Sequence, residues 1–510
     1  MSSNVAQHTL GLVSTLRRYA SPMSVFDAHL EPATRFRISS VIRDALYDRI
    51  PLTVPELALI NTSAFARLER IQQLGFVSRV WPSARHTRFE HSLGVMHLTR
   101  LAVAHIRATP EGASITDDDA RAVVAAALLH DIGHYPFSHA IEELGGPIVP
   151  HEEIGRQIIT GPEISGILVD TWGVSPARVA DFVFPGDRSR TLSDRVLTGL
   201  LSGALDMDKL DYLPRDARAC NVPYGGVDTA RLISALTIAP VGATPALLEP
   251  RVAIQEKGIS PLHSLINARQ AMFDNVYWHH TNRACSAMLL RAVQDAVLAG
   301  AIAPESLPAK DDRSLLDTLA LPDMPESTQR LAAALQSRQV FKRAVEIGSR
   351  AVELYGRLGN LYFDPLARRE VELRLTESLS AATGRHVPDE AILIDVPKPE
   401  KWKTDDFTSW GIIKSHHYLG GIFALQFDPG GRELLLQRRR PVDVPGLGHG
   451  ELDVEVALDQ EPAGARPDQV GPAGGVGEQV ELVAHPLPLG VPAERPQFNF
   501  PQHRAPASLH

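Results

Sequence analysis

Residues 128 to 144 read LLHDIGHYPFSHAIEEL, where His130, Asp131, His134 and His139 follow an apolar lead-in and Glu142 and Glu143 come close behind. Imidazole and carboxylate groups at this density can hold a divalent cation, contact phosphate or move protons. Two further donors lie elsewhere in the chain, His91 in RFEHSLGV and Asp208 in ALDMDKLDYLPRD. Adjacent residues on an ideal helix point about 100° apart, so His130 and Asp131 can grip one ion together only where the helix ends or distorts. Ile132 and Gly133 are expected to supply that freedom. A mixed imidazole and carboxylate set favours Mn²⁺, Fe²⁺ or Mg²⁺ over Zn²⁺ and leaves positions open for water or phosphate, which is the geometry of a hydrolase. On residue type alone, Asp206 and Asp211 compete with Asp208 for the same role.

Rigid elements must carry such donors, because loose ligands give up entropy on binding. From about residue 38 to 380 the pattern is helical: FEHSLGVMHLTRLAVAHI and DDDARAVVAAALLHDIGH repeat apolar residues at three and four. Strands are expected few and late, in AILIDV (391–396) and GIFALQF (421–427), whose β-branched and aromatic content suits them. The expected fold is a mainly α-helical body over 38–385, preceded by an N-terminal segment (1–37) and followed by a small α+β appendage over 386–430. Residues 431–510 hold 11 Pro and 10 Gly in 80 positions, with Phe498 and Phe500 their aromatics, so a disordered tail is expected.

The chain of 510 residues carries 51 Lys and Arg against 60 Asp and Glu, a formal charge of −9, which gives no global pull toward nucleic acid or an anionic membrane. The basic run QRRRP at 437–441 is read first as solvated tail, with nucleic-acid contact as the alternative. Two cysteines, Cys220 and Cys285, exclude a disulfide framework and a cysteine zinc site. With no long apolar run and no signal-like start, a soluble, cytoplasmic protein is expected.

His91, the His130–Asp131 pair and Asp208 resemble the H…HD…D signature of the HD-domain phosphohydrolases. The flanking text, RIQQLGFVSRVWPSARHTRFEHSLGV, LLHDIGHYPFSHAIE, HEEIG and LDMDKLDYLPRD, resembles the branch containing deoxynucleoside triphosphate triphosphohydrolases. The likeness runs on through ARQAMFDNVYWHHTNRA, over about residues 38–425. It implies an HD-domain fold in which His91, His130, Asp131 and Asp208 ligate one divalent ion. It also implies that Arg88, His134, His151 and Lys209 meet phosphate, that His139 and Glu142 handle protons, and that Gln73, Leu74, Tyr212 and Asp216 read the sugar. The implied reaction is in-line hydrolysis at the α-phosphorus of a nucleotide substrate, giving a deoxynucleoside and inorganic triphosphate, in a homo-oligomeric enzyme.

Two departures accompany the match. Where regulated members recognise an activating guanine nucleotide with an Asp and an Arg, this chain has Asn61 and Glu69, and a carboxylate there repels phosphate. Pro214, inside LDYLPRD, is expected to kink the segment carrying Tyr212 and Asp216. Packing is the default for His86, His279 and His280, and a turn for Tyr224-Gly225-Gly226. A phosphodiesterase or nucleotidase acting on another ester uses the same ligand set. A nucleotide- or nucleic-acid-binding regulator with little turnover needs no open metal site.

Overall fold

The computed structural model describes residues 34–185, 191–241, 249–348 and 358–396, together with four short strands farther along the chain. Helix α1 (Arg88–Arg107) begins at Thr87, where the Glu90 carboxylate accepts the Thr87 N–H at 2.7 Å in a capping box. Helix α2 (Asp117–Leu129) begins the same way at Thr116, and three acids in its first turn complement the helix dipole. From Ala122 to Leu129 every residue of α2 is fully buried, so it runs through the middle of the body. Then come α3 (His151–Thr160), α4 (Met207–Cys220), α5 (Ile259–Met272), α6 (His280–Leu298), α7 (Glu326–Gln336) and α8 (Pro365–Thr383), with shorter helices between. The α4 helix runs through Pro214 rather than ending there, so the expected kink does not divide it.

Two apolar clusters make the core. One gathers Phe65, Met96, Leu128, Trp172 and Leu210 around α1, α2 and α4. The other gathers Tyr135, Phe137, Met288, Leu316 and Leu335 around α6 and α7.

Strands occur earlier than the sequence pattern suggested. β1 (Ile38–Asp44) and β2 (Asp48–Thr53) form an antiparallel hairpin, from Ile38↔Thr53 to Asp44↔Asp48. The β1 residues ISSVIRD alternate between exposed and half-buried, a period of two that two serines and an arginine obscure in sequence. β3 (Leu236–Val241) pairs antiparallel with β4 (Glu249–Gln255). β5 (Lys342–Gly348) and β6 (Ile392–Asp395) flank a distant strand, and β6 lies where AILIDV placed a strand. β7 (Gly411–Lys414), β8 (Ile422–Phe427) and β9 (Leu434–Arg438) extend the β3–β4 sheet, while β10 (Gln479–Ala484) sits between β5 and β6. β8 is the strand expected in GIFALQF. Apart from β9 and β10, the expected tail of 431–510 lies outside the described residues, as does most of the N-terminal segment. No helix among the described residues is long and apolar enough to cross a membrane.

Candidate functional site

The end of α2 creates the site. The last helical residue is Leu129, His130 caps the helix, and the chain then turns, so His130 and Asp131 leave the helical spacing and face one centre. Gly133 contributes differently from the expected backbone freedom, since its φ is not positive. A Cβ there would lie 2.0 Å from the His151 carbonyl oxygen and 2.4 Å from the Gly155 nitrogen. The glycine lets the turn touch the start of α3, which brings His151 beside His134.

His91, on the first turn of α1, places Nε2 at 2.9 Å from Asp208 Oδ1 and 3.7 Å from Asp131 Oδ2. His130 Nε2 lies 3.3 Å from Asp131 Oδ1 and 3.8 Å from Asp208 Oδ1. His91, His130 and Asp208 bring donor atoms together, Asp131 stands beside them with Oδ2 engaged by Arg88, and Asp208 rather than Asp206 or Asp211 faces the group. His130 Nδ1 donates to the Ala127 carbonyl at 2.9 Å, whereas its buried Nε2 makes no hydrogen bond. An orphaned imidazole lone pair aimed between two carboxylates suits a bound divalent cation. With no ion between the carboxylates, burial opposes charge on His91, yet hydrogen bonds to Asp208 and Asp211 hold its pKa up at about 10, so a cation there takes the place of the Nε2 proton. Burial also opposes charge on Asp131, but Arg88, His130 and His134 keep that carboxyl well below the usual range. Asp211, a competitor in sequence, accepts from His91 Nδ1 on the far side of the ring at 2.8 Å.

Beside this centre stands a second group, His134, His139, Glu142 and His151. The His134 and His151 rings stack with centroids 3.8 Å apart. Glu142 joins the others: Oε2 accepts from His139 Nδ1 at 2.9 Å, and Oε1 accepts from His151 Nδ1 at 2.8 Å. The His139–Glu142 spacing expected for a helical face is met by a 3₁₀ helix at Ser138–Leu144, where residues three apart eclipse. His134 Nε2 lies 3.1 Å from Asp131 Oδ1, and burial together with the Arg88 and His151 charges lowers its pKa well below that of an ordinary histidine.

His130, Asp131 and Asp208 of the first group and His134, His139 and His151 of the second line a cavity of about 610 Å³, whose walls draw on the two apolar clusters. Gln73, Leu74, Lys209, Tyr212 and Asp216 line it as well. Arg88 also lines it, but its guanidinium is engaged, with Nη1 on Asp131 Oδ2 at 2.5 Å and Nε on Ser138 Oγ at 3.0 Å. Lys209 Nζ is held by Asp206 Oδ2 at 2.6 Å and the Gly203 carbonyl at 3.0 Å. The Asp216 oxygens accept from His86 Nε2 and the Tyr277 hydroxyl, each at 2.7 Å, which gives His86 a partner that sequence did not reveal. Sequence reading also missed Arg269, Phe273, Tyr277 and Trp278 on the cavity wall, although the last three stand in the quoted ARQAMFDNVYWHHTNRA with Arg269. His279 accepts the Thr281 N–H at the start of α6 and stacks on His280. Asn61 and Glu69 are both exposed. Gly225 closes a 3₁₀ turn against α4, where a Cβ would meet Ala217 Cβ at 2.5 Å.

Residues 88–169 match the family described as HD domain, and residues 227–408 match the HD associated region. An uncharacterised protein of Methanocaldococcus jannaschii is 32% identical over 306 residues, covering 60% of this chain and 59% of that protein. A Dictyostelium discoideum protein, named a homolog of the deoxynucleoside triphosphate triphosphohydrolase SAMHD1, is 26% identical over 328 residues, covering 61% and 60%. The chain thus spans about three fifths of the length of these curated relatives. A solved structure, a hypothetical protein from Aquifex aeolicus, is similar with a TM-score of 0.53 at 25% identity, covering 70% of this chain and 85% of that one.

Proposed function

The chain belongs to the HD-domain superfamily, whose members include phosphohydrolases, and from that premise we propose that it hydrolyses deoxynucleoside triphosphates to deoxynucleoside and inorganic triphosphate. One observation carries this reading: a single cavity is lined by His130, Asp131 and Asp208, by the histidines His134, His139 and His151, and by the cationic side chains Arg88, Lys209 and Arg269. A triphosphate needs that combination along its length. His91, His130, Asp131 and Asp208 would hold the divalent ion, with Mn, Fe or Mg preferred to Zn, and the ion supplies Lewis acidity at the reacting phosphate when bound. Lys209 and Arg269 offset charge on the phosphate oxygens, and His134 and His151 contact those nearest the reacting phosphorus. Water attacks the α-phosphorus, the bond to the nucleoside oxygen breaks, and His139, oriented by Glu142, moves the proton that the leaving oxygen takes up. Leu74 and Tyr212 flank the sugar, with Gln73 and Asp216 on its hydroxyls. Assembly into a homo-oligomer forms part of the same reading and is measured by light scattering.

The test is product analysis. Metal-loaded protein is incubated with each dNTP and the products are separated by anion exchange. Inorganic triphosphate with deoxynucleoside supports the proposal. Monophosphate with pyrophosphate rejects it, as does absence of turnover; release of phosphate from another ester would favour the phosphodiesterase or nucleotidase. Asp208→Ala is expected to lose bound metal and about 10²-fold or more in turnover with its helical circular dichroism intact.

A further inference from the structure

Asp211 is fully buried and its two oxygens accept four hydrogen bonds. Oδ2 takes His91 Nδ1 at 2.8 Å and Arg215 Nε at 2.8 Å, while Oδ1 takes Arg215 Nη2 at 2.9 Å and the Tyr47 hydroxyl at 2.8 Å. A carboxylate so filled accepts and does not donate, so each partner must bring a hydrogen. For His91 this assigns a proton to Nδ1 and leaves Nε2, which faces Asp208 and Asp131, as the nitrogen whose lone pair a cation can take. Space for the carboxylate is made on α1 itself, because a Cβ at Gly94, one turn beyond His91, would lie 1.8 Å from Asp211 Oδ1.

The chain of contacts continues outward. Arg215 Nη1 donates to Asp44 Oδ2 at 2.8 Å, and Asp44 Oδ1 accepts the Leu46 and Tyr47 N–H groups at 2.7 and 2.9 Å, closing the β1–β2 turn. The turn thus reaches Asp211 by two routes, through Asp44 and Arg215 and directly through the Tyr47 hydroxyl. Side chains from β1 to α4 are buried along the way, with Asp44 and Arg215 each 4% exposed.

We propose that Asp211 is the positioning residue of the cation centre, fixing the His91 tautomer and ring plane, and that the β1–β2 turn anchors Asp211 through Arg215 and Tyr47. This rests on His91 as a metal ligand. The hairpin becomes part of the site's support although none of its residues lines the cavity. Groups that orient a ligating histidine are worth about 10- to 100-fold in metal affinity, because a misaligned or mis-protonated ring gives up its lone pair.

Zinc is the probe, being diamagnetic and free of redox chemistry. In zinc-loaded protein with ¹⁵N-labelled histidine, His91 is expected to bind through Nε2 and to show a protonated Nδ1. Asp211→Asn is expected to weaken zinc binding about 10- to 100-fold in chelator competition, at unchanged helix content. Should Asp211→Asn not fold, Tyr47→Phe takes its place and is expected to weaken binding about threefold, the effect of losing one hydrogen bond. Coordination through His91 Nδ1 overturns the proposal, as does wild-type zinc affinity in whichever of these variants folds. The underlying reading fails separately: His91→Ala would then bind zinc as tightly as the unaltered protein.

Discussion

Glu142 divides its carboxylate between two histidines, and the chemistry of the cavity rim depends on that division. Burial pushes its pKa up, but hydrogen bonds from His139 and His151 override the penalty and hold the carboxyl far below the usual range. His151 answers in the opposite direction: burial lowers its pKa, while the hydrogen bond and charge of Glu142 raise it above the ordinary histidine value. Glu142→Gln removes the charge and leaves one oxygen for two donors. Turnover is expected to fall about 10²-fold with metal content unchanged, and the alkaline limb of the rate profile should move to lower pH as His151 gives up its proton earlier. The stability cost has a definite window. A lowered carboxylate stabilises above its unfolded value of about 4.5, and a raised histidine stabilises until pH climbs through its folded value. The melting difference between the two proteins should therefore be largest from about pH 5 to 6.5 and shrink on either side. A pH-independent difference would remove Glu142 from this role. The His139–Glu142 pair was legible from its spacing of three. Its link to His151 was not, because that contact depends on Gly133 touching α3.

At the scale of elements, the 3₁₀ helix that carries His139 and Glu142 starts from a strained turn. Phe137 and Ser138 both sit in the left-handed region, at φ +57° and +61°, at a cost of about 1–3 kcal/mol each for non-glycine residues. Their neighbours hold them there. Asp312 accepts the Phe137 N–H at 2.7 Å and the Gln72 N–H at 2.9 Å, Ser138 Oγ reaches the Gln72 and Gln73 carbonyls, and Phe137 stacks on Phe76. Burial of Asp312 pushes its pKa up to about 6, against the pull of its two backbone donors. Between about pH 4 and 6 the folded protein thus keeps a proton that the unfolded chain releases, so this group's contribution to stability falls by about 3 kcal/mol as pH rises through that range. Asp312→Asn cannot titrate and satisfies one backbone donor at most, for a loss of about 1–3 kcal/mol at neutral pH. Its deficit in melting temperature should widen on acidification from pH 7 to 5, and a constant gap would contradict the titration. Neither Asp312 nor the β1–β2 hairpin was visible in the sequence. The Asp312 contacts join residues 240 and 175 positions apart, and the hairpin's alternation is half-buried, which helical counting passes over. The capped helices were legible because their signals are local: Thr87 with Glu90 and Thr116 with Asp119 stand three residues apart.

Across the whole molecule, the late strand β6 is tied to the cavity rim by one buried arginine. Arg283, on α6, donates to both oxygens of Asp395 at 2.9 and 2.6 Å and to both oxygens of Glu143 at 3.1 and 3.0 Å. Its guanidinium also lies 4.2 Å from the centre of the Trp278 ring on the cavity wall. Glu143 directly follows Glu142, so a strand more than 240 residues later in the chain bears on the backbone that aims His139 and His151. Burial opposes the Arg283 charge, and the two carboxylates outweigh that penalty, raising its pKa well above the ordinary value. Asp395→Asn leaves the guanidinium buried with half its neutralising charge. Breaking a buried pair costs about 3–5 kcal/mol, and with Glu143 still in place the lower end applies, a fall in melting temperature of roughly 5 °C or more. If Arg283 also positions the 3₁₀ helix, turnover at 25 °C should drop several-fold while metal content and helical circular dichroism stay unchanged, because the proposed cation donors lie on α1, on the turn that ends α2 and on α4. A protein that melts earlier yet turns over at the original rate would confine Arg283 to holding β6 against the helical body.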